Sequence, residues 1–222
     1  MPISVIIVAA GSSKRLGGKV NKPYLKVKGK PALYYSIKTF LSLKTVKEIL
    51  VVIREKDESI FRKLLKKYNF NGVKYTYGGK ERRDSVLNGL NSLENKKGIV
   101  LIHDAARPFV TKEVVNRVIK GALKYKASLP VIGVKDTVKY SAGGKFTDKT
   151  LDRSKLFLAQ TPQGFDYDLL MKANRKAKAG KYFVTDDAML VEYAGVKPAL
   201  VAGDEKNIKI TTRADIIRCA EA

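Results

Sequence analysis

The chain has 222 residues, 45% of them hydrophobic, and carries 44 Lys and Arg against 21 Asp and Glu, a formal net charge of +23. That length suits one α/β domain, residues 1–222, with a large buried core. One cysteine, Cys219, and one histidine, His103, exclude an internal disulfide framework and any multi-cysteine or multi-histidine metal site.

The apolar run Val5–Ala9, bounded by Gly11, predicts a strand buried on both faces. No basic segment precedes it, and Ile3–Ala10 is too short to span a bilayer. Neither a signal peptide nor a membrane partner is expected, and the cytoplasm is the expected location. A helix over Leu33–Leu41, opened by Pro31, is followed by a buried strand, Glu48–Ile53. Next come a helix over Ser59–Tyr68 with Ser59 as its candidate N-cap, and a short strand, Val73–Tyr77, that ends at Gly78-Gly79. A helix over Asp84–Leu93 leads to a strand, Gly98–Ile102, running into His103-Asp104. Thr111–Tyr125 reads as a helix with an imperfect capping box at Thr111, and Ala127–Val134 as a strand.

This alternation is the pattern of βαβ units and a mainly parallel twisted sheet. The rhythm changes over Lys135–Leu151, where Thr137–Tyr140, a turn at Ser141–Gly144 and Lys145–Thr147 predict a β-hairpin projecting from the body. Helices are expected over Asp166–Lys178 and Asp186–Tyr193, and strands over Pro198–Val201 and Asn207–Ile210. Thr211 or Thr212 would cap a last helix reaching Ala222.

The charge has two readings. A basic surface attracts phosphates, as in nucleic-acid binding; a lysine-rich surface also suits stability at high temperature. The lysines are scattered through nearly every segment, with no arginine-rich block and no aromatic-interleaved basic motif, so no specific nucleic acid is expected as a partner. An enzyme with anionic substrates gains from such a field as well.

The loops after the strands carry the chemistry, because ligands of open α/β sheets bind at the carboxyl ends of strands. Ala9-Ala10-Gly11-Ser12-Ser13-Lys14-Arg15-Leu16 offers small residues, whose backbone N–H groups can approach a phosphate or base, and a basic pair; Lys22 follows. It is neither a G-x-x-x-x-G-K-[ST] nor a G-x-G-x-x-G loop, which disfavours a P-loop ATPase or a dehydrogenase. In Gly78-Gly79-Lys80-Glu81-Arg82-Arg83-Asp84-Ser85, the serine is placed either to bond a nucleobase or to cap the helix. In His103-Asp104-Ala105-Ala106-Arg107-Pro108-Phe109, Asp104 stands where a carboxylate could hold Mg²⁺ against phosphates, and Arg107 could hold a phosphate or pair with Asp104. His103 is assigned no acid–base role.

These segments resemble the signatures of the nucleotidyltransferases that act on sugar and polyol phosphates. The first is similar to A-A-G-x-G-x-R-[ML]…P-K-Q-[YF]-L, with Ser13, Asn21 and Pro23 as departures. The second is similar to G-G-x-x-R-x-x-S-V, and the third to H-D-[AS]-[AV]-R-P-[FY] in its Ala-Ala form. Asp136-Thr137-Val138-Lys139, Asp152-Arg153, Thr161-Pro162-Gln163, Thr185-Asp186-Asp187-Ala188 and Asn207-Ile208-Lys209-Ile210-Thr211 continue the likeness in order. From Val5 to Asp215 the chain resembles the 2-C-methyl-D-erythritol 4-phosphate cytidylyltransferase family.

The resemblance implies a Rossmann-like three-layer nucleotidyltransferase fold with a projecting dimerisation arm at about 135–153. It implies transfer of CMP from CTP to a polyol phosphate, with Mg²⁺ or another divalent cation near Asp104. The nucleophile is a phosphate oxygen, already anionic, so alignment and charge neutralisation suffice without a general base. Arg15 and Lys22 would stabilise the transition state at the α-phosphorus, and Lys209 would approach the same phosphate or orient the acceptor. Ala9, Ala10, Gly11, Ser12, Gly78, Gly79, Arg82, Ser85, Asp104 and Ala105 would bind the nucleotide. Asp104, Arg107, Thr161 and Thr185 would bind the acceptor, together with Thr137 and Arg153 on the arm of a neighbouring subunit, in a homodimer with swapped arms. Ribitol 5-phosphate is the alternative acceptor, and a nucleic-acid-binding protein or a sugar 1-phosphate uridylyl- or guanylyltransferase the more distant alternatives.

Overall fold

The computed structural model describes residues 1–11, 21–180, 184–212, 214–216 and 219. Ser12, Ser13, Lys14, Arg15 and Leu16, and the expected end of the last helix at Ala222, lie outside the described residues.

Strand β1 (Ile3–Val8) shows why the sequence begins with an unbroken apolar run: Val5, Ile6 and Ile7 are all fully buried. Successive side chains of a strand point to opposite faces. Val5 and Ile7 enter one core cluster and Ile6 another. Complete burial of each such side chain stabilises the fold by roughly 1.5–3 kcal/mol.

A short 3₁₀ turn, Lys22–Tyr24, leads into a small hairpin of β2 (Lys26–Val27) and β3 (Lys30–Pro31), turned by Lys28 and Gly29 at φ 46° and 78°. Its two-residue strands are too short to leave a period in the sequence, and none is predicted there. Helix α1 (Ala32–Leu41) follows, with Pro31 at its N-cap. After β4 (Val46–Ile53) a 3₁₀ turn at Glu55–Asp57 starts the next helix early, so α2 (Glu58–Lys67) has Asp57 at its N-cap and Ser59 inside it. Strand β5 (Val73–Tyr77) and helix α3 (Arg82–Ser92) are joined by the glycine pair. The helix opens on a reciprocal capping box between Glu81 and Asp84.

Strand β6 (Ile99–Asp104) runs two residues further than the apolar pattern suggests, because His103 and Asp104 are buried as well. Helix α4 (Lys112–Tyr125) has a single cap, Thr111 Oγ1 accepting from Val114 N at 3.4 Å, rather than a box. Strand β7 (Ala127–Gly133) precedes the arm, in which β8 (Val138–Tyr140) pairs antiparallel with β9 (Lys149–Leu151). Residues 145–147 belong to the connecting loop and not to a strand. Strand β10 (Phe157–Ala159) and strand β11 (Gln163–Asp166) then flank the cis Thr161–Pro162 peptide. Helix α5 (Tyr167–Ala179), helix α6 (Asp187–Tyr193) and strand β12 (Ala199–Ala202) follow. The expected strand at 207–210 is absent. Its backbone bonds go singly to neighbouring segments: Asn207 N to Asp204 O at 3.0 Å, and Ile210 N to Ala106 O at 2.8 Å. Thr212 caps the helical residues 214–216, Asp215 N donating to its Oγ1 at 3.4 Å.

In space the main sheet runs β5-β4-β1-β6-β11-β7, with β10 and β12 also on β7. The half β5-β4-β1-β6 is parallel; β10 and β11 run antiparallel to their neighbours. Residues of α1, α2 and α4 fill the core on one face, and those of α3, α5 and α6 fill it on the other, giving three layers. From β1 the chain moves outward through β4 to β5, and α3 then carries it back to β6 on the other side of β1. The strand order therefore reverses between β1 and β6, and the crevice outside their carboxyl ends is where such sheets bind ligands. The register partners at that point are Val8 and Asp104.

Candidate active site

Two adjoining cavities open at this reversal point. The larger, about 410 Å³, is lined by Val8–Gly11 after β1, by Asn21–Pro23, by Gly79–Arg82 and Ser85 at the start of α3, and by Asp104, Ala106 and Lys209. The smaller, about 140 Å³, is lined by Arg107, Ala159–Thr161, Gln163, Thr185 and Asp186. Arg82, Asp104 and Lys209 border both.

The shared wall is an ionic cluster. Lys209 Nζ lies 2.6 Å from Asp104 Oδ2, and Arg82 Nη2 lies 3.3 Å from Asp104 Oδ1 and 2.7 Å from Asp187 Oδ2. Burial alone would raise the Asp104 carboxyl, but Arg82 and Lys209 outweigh it and hold the group well below the usual carboxylate range. Asp187, at the start of α6, is fully buried, and apart from the Arg82 ion pair neither of its oxygens has a hydrogen-bond partner among the described residues. Its carboxyl is pushed up by burial, an effect that Arg82 opposes.

The nucleotide-side wall is built by close backbone approach. Ala9 N bonds Val52 O at 2.8 Å, extending β1 by a residue. A Cβ at Gly78 would stand 2.4 Å from Ala10 Cβ and 2.7 Å from Ser85 Oγ, so only glycine lets these segments meet. Ser85 Oγ accepts from Gly79 N and donates to Glu81 O, both at 3.1 Å. The serine thus ties the glycine turn to the helix while also lining the larger cavity. Lys22 lines that cavity too, its Nζ donating to Thr211 O at 3.1 Å. Asn21, preceding it, is buried and donates from Nδ2 to Ala9 O at 3.2 Å and to Asp57 Oδ2 at 3.0 Å, and Asp57 is itself held by Arg54 at 2.6 Å. Asn21 thereby ties the end of β1 to the Lys22 turn.

His103 is satisfied inside the fold. Its Nε2–H donates to Arg107 O at 3.1 Å, and Nδ1 accepts from Thr161 Oγ1 at 3.1 Å, a tautomer assigned from these partners. The same hydroxyl oxygen accepts from Asp104 N at 3.0 Å. Burial lowers the imidazole pKa to about 4, so the ring is neutral near pH 7. Arg107 donates to Asn207 O at 2.7 Å and to Ala159 O at 3.2 Å.

The geometry thus gathers Lys22, Lys209, Arg82, Asp104, Ala9, Ala10, Gly11, Gly79 and Ser85 around one cleft, and Arg107, Thr161 and Thr185 around its neighbour. Ala105 is buried in the core, and Ala106 faces the cleft in its place. Thr137 and Arg153 are exposed on the arm and line neither cavity. Arg153 Nη1 donates to Lys135 O at 2.6 Å. Arg15 and Ser12 fall outside the described residues. The sequence assigns Asn21, Gln160, Asp187 and Asn207 no site role, although each sits inside or beside a motif segment. Their common signal is only that they are polar residues in or beside those segments; their burial shows in the fold.

Among the described residues no cluster of three or more His, Cys, Asp or Glu could hold a metal ion by itself. Asp104 still fits a magnesium site of the kind completed by substrate phosphates and water, since that ion needs only one or two carboxylates from the protein. Among the described residues no helix is long and apolar enough to cross a membrane.

Residues 3–222 match the profile of the family described as "IspD: 2-C-methyl-D-erythritol 4-phosphate cytidylyltransferase". The chain is 46% identical over 219 residues to the 2-C-methyl-D-erythritol 4-phosphate cytidylyltransferase of Caldanaerobacter subterraneus subsp. tengcongensis, covering 98% of this chain and 96% of the relative. It is 42% identical to the protein of that name from Clostridioides difficile, covering 96% and 90%. Among solved structures, 4-diphosphocytidyl-2C-methyl-D-erythritol synthase of Anaerococcus prevotii superposes with a TM-score of 0.89 at 37% identity, over 99% of this chain and 94% of that one.

Proposed function

The chain belongs to the 2-C-methyl-D-erythritol 4-phosphate cytidylyltransferase family, and from that premise we infer how its cleft performs the reaction. It transfers CMP from CTP to 2-C-methyl-D-erythritol 4-phosphate, releasing pyrophosphate and forming 4-diphosphocytidyl-2-C-methyl-D-erythritol, in the non-mevalonate route to isoprenoid precursors. One observation carries the assignment of sites: two adjoining cavities share a wall of Arg82, Asp104 and Lys209, so two phosphate-bearing substrates can meet across it.

In this reading the larger cavity takes CTP. The small residues Ala9–Gly11 and Gly79 let the nucleotide approach the backbone, and Lys22 faces its phosphates. The smaller cavity takes the acceptor against Arg107, Thr161 and Thr185. An anionic phosphate oxygen needs no base to attack the α-phosphorus. Lys22 and Lys209 stabilise the charge that gathers there, with Arg15 completing the set. Asp104 would hold a divalent cation, which when bound supplies charge neutralisation of the triphosphate.

The arm is read as a dimer contact. Phe146 on its loop is 75% exposed, and Phe157 and Leu158 beyond it are about half exposed, more apolar surface than a lone hairpin keeps in water. A two-fold partner would cover them and bring Thr137 and Arg153 to the acceptor of the other copy. The expected location is the cytoplasm.

The test is pyrophosphate release from CTP and Mg²⁺ with each of two acceptors. Release with 2-C-methyl-D-erythritol 4-phosphate and little with ribitol 5-phosphate is expected; the reverse order would overturn the acceptor assignment.

A further inference from the structure

We propose that Gln160 is a positioning residue for the reaction, setting the reach of Lys209 into the site. The proposal rests on the reading that Lys209 acts on the reacting phosphates. Lys209 lies on a segment, residues 203–211, that contains no strand or helix past Ala202. No ladder fixes its register, so isolated bonds must do so.

Gln160 supplies the central ones. It is 3% exposed and sits at the end of β10. Its Nε2 donates to Asp204 O at 2.8 Å, and its Oε1 accepts from Asp204 N at 3.2 Å. The side-chain amide thus engages both backbone groups of one residue, as a neighbouring strand would. The same Oε1 accepts from Asn207 Nδ2 at 3.2 Å, and that amide nitrogen also donates to Thr161 O at 2.9 Å. The fit is close: a Cβ at Gly203 would stand 2.6 Å from Gln160 Oε1.

Asn207 is therefore fixed from its side chain, and its carbonyl is fixed by Arg107 at 2.7 Å. Three residues on, Ile210 N bonds Ala106 O at 2.8 Å. Lys209 lies between these two anchors, and its ammonium meets Asp104 at 2.6 Å. Gln160 borders the smaller cavity, but its Oε1 accepts two donors from the segment and its Nε2 donates to Asp204 O, so it acts through Lys209 rather than on substrate. Loss of the amide frees the first anchor, and a displacement near 1 Å at a reacting group costs on the order of a hundredfold in rate.

The experiment is a double-mutant cycle on the full-length enzyme: wild type, Gln160→Ala, Lys209→Ala and both together, with kcat and KM measured by pyrophosphate release. Gln160→Ala is expected to lower kcat by about ten- to a hundredfold with KM for CTP little changed, and to cost nothing further in the Lys209→Ala background. Equal losses in both backgrounds, or an unchanged kcat, would overturn the proposal alone. Full activity of Lys209→Ala would overturn the role of Lys209 itself, and this proposal with it. Gln160→Glu guards against a misfolded alanine variant, since it keeps the shape but replaces the donor with an acceptor. Its kcat relative to wild type should recover as the pH falls and the introduced carboxyl gains a proton; a ratio that stays flat with pH counts against the proposal.

Discussion

Lys209 Nζ stands 2.6 Å from Asp104 Oδ2, and the two residues are 105 positions apart in the chain. With Arg82 on the other carboxylate oxygen, Asp104 is bound by two cations and stays ionised through the neutral range. Incoming phosphates and a divalent ion would therefore exchange partners with a preformed cluster, and no ionisation of Asp104 would be needed.

Lys22 sits across the same cleft, its ammonium directed at Thr211 O. In the proposed mechanism, replacing it with alanine removes one preorganised donor at the reacting phosphorus. The kcat of Lys22→Ala should fall by roughly 10²–10³-fold, as for loss of a single transition-state donor. A steady-state rate assay checks this, and a near-normal kcat would take Lys22 out of the chemistry.

Arg82 is the sole ion-pair partner of the buried Asp187 among the described residues. Arg82→Met leaves that carboxyl buried without a counter-charge and should destabilise the protein by about 3–5 kcal/mol. Adding Asp187→Leu should restore much of the stability without restoring activity. Urea unfolding of the three proteins measures the stabilities; no recovery in the double variant would mean that Arg82 stabilises through its other contacts.

Gly78→Ala should push Ala10 out of the cleft wall, since the added methyl would stand 2.4 Å from Ala10 Cβ. Overpacking of this kind costs about 1–3 kcal/mol. We expect KM for CTP to rise more than kcat falls, because in the proposed reading this wall takes the nucleotide and not the reacting phosphorus. Equal effects on both parameters would place the perturbation elsewhere.

His103 gives a pH signature. Burial holds its pKa at about 4, below the ordinary histidine value of about 6.5. Between those values the unfolded chain takes up a proton that the folded one refuses, so this residue makes the fold less stable as pH falls from about 6.5 towards 4, by at most about 1.4 kcal/mol per pH unit. The urea midpoint should drop more steeply over that window in the wild type than in His103→Gln. Parallel curves would show that the imidazole titrates normally.

Shared sites can be tested by mixing Lys22→Ala with Arg153→Ala. If Arg153 serves the neighbouring copy, mixed dimers contain one intact site, and activity should reappear after subunit exchange. No recovery under exchanging conditions would confine each site to one chain.

The sequence by itself determined the parallel half of the sheet. Val5–Ala9, Glu48–Ile53 and Gly98–Ile102 announce strands because a strand buried on both faces must be apolar at nearly every position, while Val73–Tyr77, at the sheet's half-exposed edge, shows itself by its β-branched and aromatic residues instead. It also marked the loops that follow, since glycine pairs and cations at strand ends have few other uses. Tertiary structure decided the rest. Strand β11 reads Gln163-Gly164-Phe165-Asp166, which has no apolar run; it pairs only because β6 and β7 stand on either side. The segment 207–210 is apolar enough to suggest a strand, yet among the described residues no neighbour offers it a ladder. Asn21, Gln160, Asp187 and Asn207 look like ordinary polar residues at or near the ends of elements in the sequence. Each gains its role from partners distant in the chain, because burial leaves a polar group no water to bond and makes its few available partners decisive.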